Sequence, residues 1–239
     1  MPFTAAALRF FTDLKRHNAK PWFDAHKDQY LTDVVGPMRE LIEELDVRFA
    51  RSAPEITGDP KRSLFRIYRD VRFSKDKTPY KTHAACWFWH RDADAKVGER
   101  AEFGSAGFYF HLEPGHSQIG AGMWMPPRPA LNRIREAIAA KPAAFERVVR
   151  EPAFVKRFGG LDAEGVLARV PRGYAPDHPA AEWLRYQSFT AGRTLSDRDV
   201  TSSQLVSRLD AEFSRLLPLV RWLNGAIGLK PAARRRAGV

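Results

Sequence analysis

The chain has 239 residues, of which 44% are hydrophobic and 12% aromatic, so it can bury one sizeable core and is not a disordered polymer. Its net charge of +11 and isoelectric point near 10 favour an anionic partner such as nucleic acid or a phosphorylated metabolite. No stretch approaches the roughly eighteen apolar residues of a membrane span, which predicts no membrane partner, and the lack of a signal-peptide pattern favours the cytoplasm. Cys86 is the only cysteine, so an internal disulfide is excluded.

Helical patterns fill the first fifty residues. Thr4 is a suitable N-cap for a first helix that ends near His17-Asn18. Pro21 suits the first turn of a second helix, which is predicted to reach residue 35. Gly36-Pro37 is predicted to separate it from a third amphipathic helix over residues 38–49. A loop is predicted over residues 52–60.

The next segments have a different character. Aromatic and β-branched residues predominate in residues 63–73, which favours extended structure across part of that segment, followed by a loop at residues 74–79. Three strands are predicted at 83–90, 107–114 and 118–126, and they show so little alternation of polar and apolar residues that both faces should be buried. The Pro and Gly at positions 114 and 115 predict a hairpin between the last two strands.

Helices are again predicted after the sheet, over residues 128–158. A connection rich in Pro and Gly then leads to a last strand within residues 186–194. Residues 196–228 hold a capped start and a long amphipathic helix, which Pro218 is predicted to kink or divide. The predicted fold is a single α+β domain over residues 1–229: N-terminal helices, a mainly antiparallel sheet and C-terminal helices packed on it, followed by a flexible basic tail at 230–239. The pattern does not give the order of the strands.

The most distinctive feature is a basic run between Lys61 and Lys81, in which eight basic and two acidic residues give a local net charge of +6. If residues 64–73 form a strand, alternate side chains line one face and offer two guanidinium groups, a phenol and a carboxylate. Arginine donates paired hydrogen bonds to phosphate or carboxylate, so such a face would suit an anion. The predicted ligand-binding residues are Trp22, Arg66, Tyr68, Arg69, Asp70, Arg72, Lys75, Lys77, Tyr80 and Lys81.

The run RIYRDVRFSKDKTPYK at residues 66–81 carries a family resemblance. With the Pro21-Trp22-Phe23 segment, the 120–124 strand GAGMW and the 171–174 turn PRGY, it resembles the bacterial family of uncharacterised proteins catalogued as domain of unknown function 2461. The resemblance covers about residues 3–225. It implies a fold unit and a site in the basic run, and it implies no reaction and no cofactor.

Other groups of polar residues give weaker indications of a metal or catalytic site. His83 with His90, and His111 with His116, lack the spacing of a zinc motif, and no second cysteine completes a ligand set, so no metal site is predicted. No phosphate-binding loop, nucleophile elbow, or kinase or protease signature is present in the sequence. The sequence identifies no cofactor and leaves the reaction, if any, and the oligomeric state open.

Three functions remain compatible with the basic run. The first is the binding of an anionic small molecule bearing phosphate or carboxylate, with or without catalysis, and it predicts arginines that converge on a concave site. The second is nucleic-acid binding, which predicts a broad basic face with exposed aromatic rings. The third is a structural or protein-interaction role, in which the run meets an acidic partner or its charges pair internally. Internal pairing would join Arg69 with Asp70 and Asp76 and leave Lys75 and Lys77 solvated, or would join the arginines with acids such as Glu40, Glu43 or Glu44.

Overall fold

Five antiparallel strands follow one another across one sheet in the same order as along the chain. The computed structural model describes residues 3–93 and 104–232. The strands are β1 (Ile56–Thr57), β2 (Ala84–His90), β3 (Gly107–Leu112), β4 (Gln118–Met123) and β5 (Phe189–Thr194). The predicted strands are therefore confirmed, while β1 was missed because its two residues lie in the segment predicted as a loop.

Helices precede and follow this sheet, as the predicted α+β fold requires. They are α1 (Ala5–Arg16), α2 (Lys20–Ala25), α3 (Lys27–Tyr30), α4 (Gly36–Ser52), α5 (Arg128–Ala140), α6 (Pro142–Val149), α7 (Pro152–Phe158), α8 (Ala181–Leu184), α9 (Asp197–Val200) and α10 (Leu205–Ala226). No helix in the described ranges is long and apolar enough to cross a membrane.

The first face of the sheet forms the main core. Cys86 lies opposite Phe110, and Phe88 lies opposite Phe108, so alternate residues of β2 and β3 point to this face. Helix α10 packs across β3 and β4, and the ring of Phe213 stacks on Phe108 at a centroid distance of 4.7 Å. Aromatic packing of this kind accounts for much of the core energy, because each ring removes a large apolar area from water.

The second face of the sheet carries the residues between those of the core. On β3 these include Tyr109 and His111, and on β2 they include Trp87, which lies opposite Tyr109. The irregular segment at residues 63–69 runs beside β2, and Phe65 contacts the Tyr109 ring edge-to-face at 6.2 Å. Both faces are covered in this part of the sheet, as the weak alternation predicted.

The N-terminal helices follow the predicted pattern with one correction. The Thr4 hydroxyl caps α1 by accepting a hydrogen bond from the Ala6 amide. The predicted second helix is instead divided into α2, α3 and a π-helical turn at Leu31–Val35. Gly36 then has a helical φ of −56° and begins α4 without a break. The Pro after it lacks the N–H that would continue the hydrogen-bond ladder, and the π-helical turn lies directly before this interruption.

The segment at 63–73 is extended only in part. Two isolated bridges, Leu64 with Cys86 and Tyr68 with Tyr80, replace the regular strand that the alternation suggested. The alternation of exposure is nevertheless present, because positions 66, 68, 70 and 72 are exposed and the positions between them are less so.

Helix α10 excludes one of the two outcomes predicted for Pro218, since this residue lies inside the helix and does not divide it. Pro218 and Ser214, one turn earlier, are both exposed, so the carbonyl that loses its helical partner faces solvent. Farther along α10, Arg221 Nε donates to the buried carboxylate of Glu55 at 2.6 Å, and the Ala232 amide contacts the same carboxylate. Most of the tail predicted at 230–239 lies outside the described residues.

Candidate functional site

A cleft of about 360 Å³ opens between the end of α1 and the segment that leads into β2. Its size is within the range of small-molecule sites. The lining residues are Lys15, Asn18, Arg69, Asp76, Thr78, Tyr80, Lys81, Thr82 and His83. Three of these, Arg69, Tyr80 and Lys81, belong to the ligand-binding set predicted from sequence.

Asn18 joins the two walls of the cleft. Its amide nitrogen donates to the Tyr80 carbonyl at 2.9 Å, and its amide oxygen accepts from the Tyr80 backbone N–H at 3.0 Å. The Tyr80 ring is buried and stacks on Phe23 of α2 at 4.3 Å. The α1–α2 junction and the 78–82 segment are therefore held at a fixed separation, which is what a preorganised binding site requires.

Arg69 supports the cleft from the side of the basic run. Its guanidinium contacts the Asp76 carboxylate and the Thr78 hydroxyl, and the Thr78 amide donates to Asp76 at 2.9 Å. The amide of Thr78 and the guanidinium of Arg69 lower the pKa of Asp76 to about 2. Arg69 is therefore a structural brace at the cleft wall, and part of its charge is already neutralised.

Two lysines supply positive charge without such a brace. Lys15 is exposed at the end of α1, and Lys81 is half-buried, with its ammonium 5.5 Å from the centre of the Phe65 ring. Burial, and the charge of Arg66 nearby, lower the pKa of Lys81. Within residues 3–93 and 104–232, neither lysine has a carboxylate within 4.0 Å. The cleft thus has a positive balance, with Asp76 as its one acidic lining residue.

The remaining predicted site residues do not line this cleft. Arg72 forms an ion pair with Asp70 at 2.7 Å, and the ammonium of Lys77 donates to the Val71 carbonyl at 2.9 Å. These partners are local, and Asp76 is likewise paired with Arg69, so both carboxylates of the run are paired within it, as the structural hypothesis allowed. The arginines consequently do not converge on one point.

The outward surface of the basic run holds the other residues of the set. Arg66, Tyr68 and Lys75 are exposed, and Phe73 beside them is 95% exposed. Trp22 is half-buried elsewhere, stacked on the imidazole of His26 at 4.0 Å. Trp22 therefore packs against its own helical region and does not cover the cleft.

A second polar cluster adjoins the cleft on the second face of the sheet. The Tyr109 hydroxyl lies 2.9 Å from His111 Nδ1, and His111 Nε2 lies 3.0 Å from Glu113 Oε2. The His83 ring stacks on His111 at 4.2 Å, and Thr82 Oγ1 lies 3.5 Å from Glu113.

Burial governs the protonation of this cluster. Desolvation lowers the pKa of His83 to about 4, with a further decrease from the neighbouring imidazole. Burial also lowers the pKa of His111, although Glu113 opposes that shift, and raises the pKa of Tyr109 to about 12. Both imidazoles are therefore neutral at pH 7.

Sequence reasoning missed much of this site. Lys15 and Asn18 lie more than sixty residues from Tyr80, and nothing in their local pattern indicates a contact across that separation. His83 and His111 were each considered with a neighbour in sequence, whereas strand pairing brings them together. The pairing register of β2 with β3 would have revealed the cluster, but the sequence pattern does not give that register.

A family model described as a conserved hypothetical protein (DUF2461) matches residues 6–222. No curated protein and no solved structure matches the chain. The match spans the cleft and the second polar cluster, and its description assigns no activity.

Proposed function

The chain belongs to the DUF2461 family of conserved hypothetical proteins, and we propose that it binds a small anionic molecule, bearing phosphate or carboxylate, in the cleft between α1 and β2. Lys15 and Lys81 hold the anion by charge, and Thr82 offers a hydroxyl group to its oxygens, whereas the Thr78 hydroxyl already donates to Asp76. Arg69 keeps the wall in place. The arginines do not converge on the cleft, contrary to what this hypothesis predicted, so the proposal rests on the two lysines and narrows the predicted site from the whole basic run to its inner edge.

The single observation that carries the proposal is the state of Lys81. Lys81 is half-buried and lines the cleft, burial lowers its pKa, and no carboxylate in the described part of the chain forms an ion pair with it. A bound anion would supply the missing counter-charge. Its neighbour Arg66 would add to the attraction without entering the cleft.

Nucleic-acid binding is the second candidate, because exposed cations and exposed rings lie together on the outer surface of the same run. Arg66 and Lys75 could neutralise phosphates while Tyr68 and Phe73 stack on bases. Two carboxylates, Asp70 and Asp76, lie in the run and reduce its charge. This surface is separate from the cleft, so the two candidates can be tested independently.

The test is a thermal-shift screen with phosphate, citrate, sugar phosphates, nucleotides and short single-stranded DNA and RNA, each at low and moderate salt. A ligand present at a hundred times its dissociation constant stabilises by about 2.7 kcal/mol, or about 5–10 °C for a chain of this size. Lys81→Met keeps the aliphatic stem beside Phe65 and removes the charge. Lys156→Met, on exposed α7, is the matched control.

A small anion should stabilise the wild type and the Lys156→Met control, and should fail to stabilise Lys81→Met. Lys81→Met should itself be no less stable than the wild type without ligand, since it replaces a half-buried charge with an apolar group. Stabilisation by nucleic acid alone, lost in salt and in the Arg66→Ser/Lys75→Ser variant, would instead favour the outer surface. An equal response in Lys81→Met and the wild type would reject the cleft.

A further inference from the structure

We propose that His83, His111 and Glu113 bind a divalent transition-metal ion, for which zinc is the best fit, beside the cleft. Two imidazole nitrogens and one carboxylate oxygen form a donor set that zinc takes in sites with an open coordination position. The ligand atoms of the three residues all lie within 4.8 Å of one another. This inference goes beyond anion binding and does not depend on it, because all three ligands come from the protein.

Strand pairing places these residues together. Ala84 lies opposite Leu112 in the β2–β3 ladder, so one further residue along the register brings His83 opposite Glu113. His111 lies two residues before Glu113 and therefore points to the same face of the sheet. A spacing of 28 residues between the histidines is invisible as a metal motif in the sequence, which is why none was predicted.

His83 takes no part in the hydrogen bonds that join Tyr109, His111 and Glu113. His111 has a partner at each ring nitrogen, Tyr109 on one side and Glu113 on the other. Across residues 3–93 and 104–232, neither ring nitrogen of His83 has a hydrogen-bond partner, and its ring only stacks on His111. The ring lines the cleft, so an ion can reach its nitrogens from that side and give His83 a polar partner.

The geometry requires a modest closure. Bonds of 2.0–2.1 Å place the ligand atoms of a tetrahedral zinc about 3.4 Å apart. His111 Nε2 and Glu113 Oε2 are already 3.0 Å apart. His83 must therefore approach them by at most about 1.4 Å. Its ring must also turn out of its stack on His111, because the in-plane lone pairs of two stacked imidazoles do not meet at one ion, and rotation of the His83 side chain just before β2 provides both movements.

Tyr109 has a positioning role in this arrangement. When its hydroxyl accepts a hydrogen bond from His111 Nδ1–H, the lone pair of Nε2 is directed towards the ion. Thr82 and His83 line both the cleft and this cluster, so an open coordination position lies close to any ligand in the cleft.

The experiment uses the full-length chain without a histidine tag, stripped of metal by a chelator and dialysed against Zn²⁺ in a non-coordinating buffer without added anion. Bound zinc is counted by elemental analysis. Glu113→Gln and His83→Gln remove single ligands and nearly keep the shape of the side chain, while His116→Gln, exposed in the β3–β4 turn, is the control. The visible spectrum of the Co²⁺-loaded wild type reports coordination without any variant.

One Zn²⁺ per chain is expected for the wild type and for His116→Gln. The zinc affinity should be lowered more than about tenfold in Glu113→Gln and His83→Gln. In Tyr109→Phe it should be lowered about 10–100-fold. Co²⁺ should give the intense bands of a four- or five-coordinate site. Equal zinc affinity in the wild type and both ligand variants, or a weak six-coordinate Co²⁺ spectrum, would overturn the proposal. The cluster would then be an internal hydrogen-bonded chain only. Because no anion is present, failure here leaves the test of the cleft unaffected.

Discussion

Replacing Asn18 with Ala should lower the free energy of unfolding of the protein, although Asn18 is a polar residue just beyond the end of a helix. Its side chain makes two hydrogen bonds to the Tyr80 backbone, at 2.9 and 3.0 Å, across 62 residues of sequence. Each is worth about 1 kcal/mol net, and truncation also leaves a backbone donor and acceptor without their partner. Water can reach this half-buried region, so we expect a total loss of about 2 kcal/mol in the free energy of unfolding.

Urea denaturation followed by circular dichroism measures this loss directly, and a thermal melt should show a decrease of about 4–8 °C in Tm. Asn132→Ala, on the exposed side of α5, is the matched control and should change the unfolding free energy by less than about 0.5 kcal/mol. The reasoning would be refuted if the two variants were equally stable. A normal unfolding free energy in Asn18→Ala would mean that the cleft walls do not depend on this contact.

Three further predictions concern the buried charges and the exposed ring. Burial opposes ionisation of Glu212, but hydrogen bonds from Arg157 lower its pKa below the ordinary 4.5. The stabilising contribution of this carboxylate is therefore complete above pH 4.5 and is lost as the pH falls. The free energy of unfolding, measured from about pH 6 to about pH 3, should decrease less in Glu212→Gln than in the wild type. Arg221→Ala leaves the carboxylate of Glu55 buried without its ion-pair partner and should cost about 3 kcal/mol in a urea titration, whereas unchanged stability would show that solvent already screens this pair. Phe73→Ser removes a ring that is 95% exposed and should leave Tm within about 2 °C of the wild type, so a larger decrease would reveal packing around this loop.

The regular elements could be predicted because their causes are local. The apolar stripe of α4, the cap at Thr4 and the hairpin at Pro114 each depend on residues within a few positions. The errors have equally local reasons. Pro218 is tolerated in α10 because it lies on the exposed side of the helix, and Gly36 continues a helix because its own φ is helical and a π-helical turn precedes it.

Only the part of the cleft that the basic run contributes could be predicted from the sequence. Charge and aromatic content singled out the segment that contains Arg69, Tyr80 and Lys81, and these three line the cleft. The contact of Asn18 with Tyr80 and the approach of His83 to His111 depend on how distant segments pack, which composition and spacing do not encode.

The central claim is that the cleft binds an anion through its lysines. The most direct measurement is a titration of the ¹⁵N-labelled chain with inorganic phosphate at constant ionic strength, followed by backbone amide chemical shifts. Saturable shifts should concentrate at Thr78, Tyr80, Lys81 and Thr82, and should vanish in Lys81→Met. Shifts confined to the outer surface around Arg66 and Lys75, or no saturable shifts at all, would contradict the account.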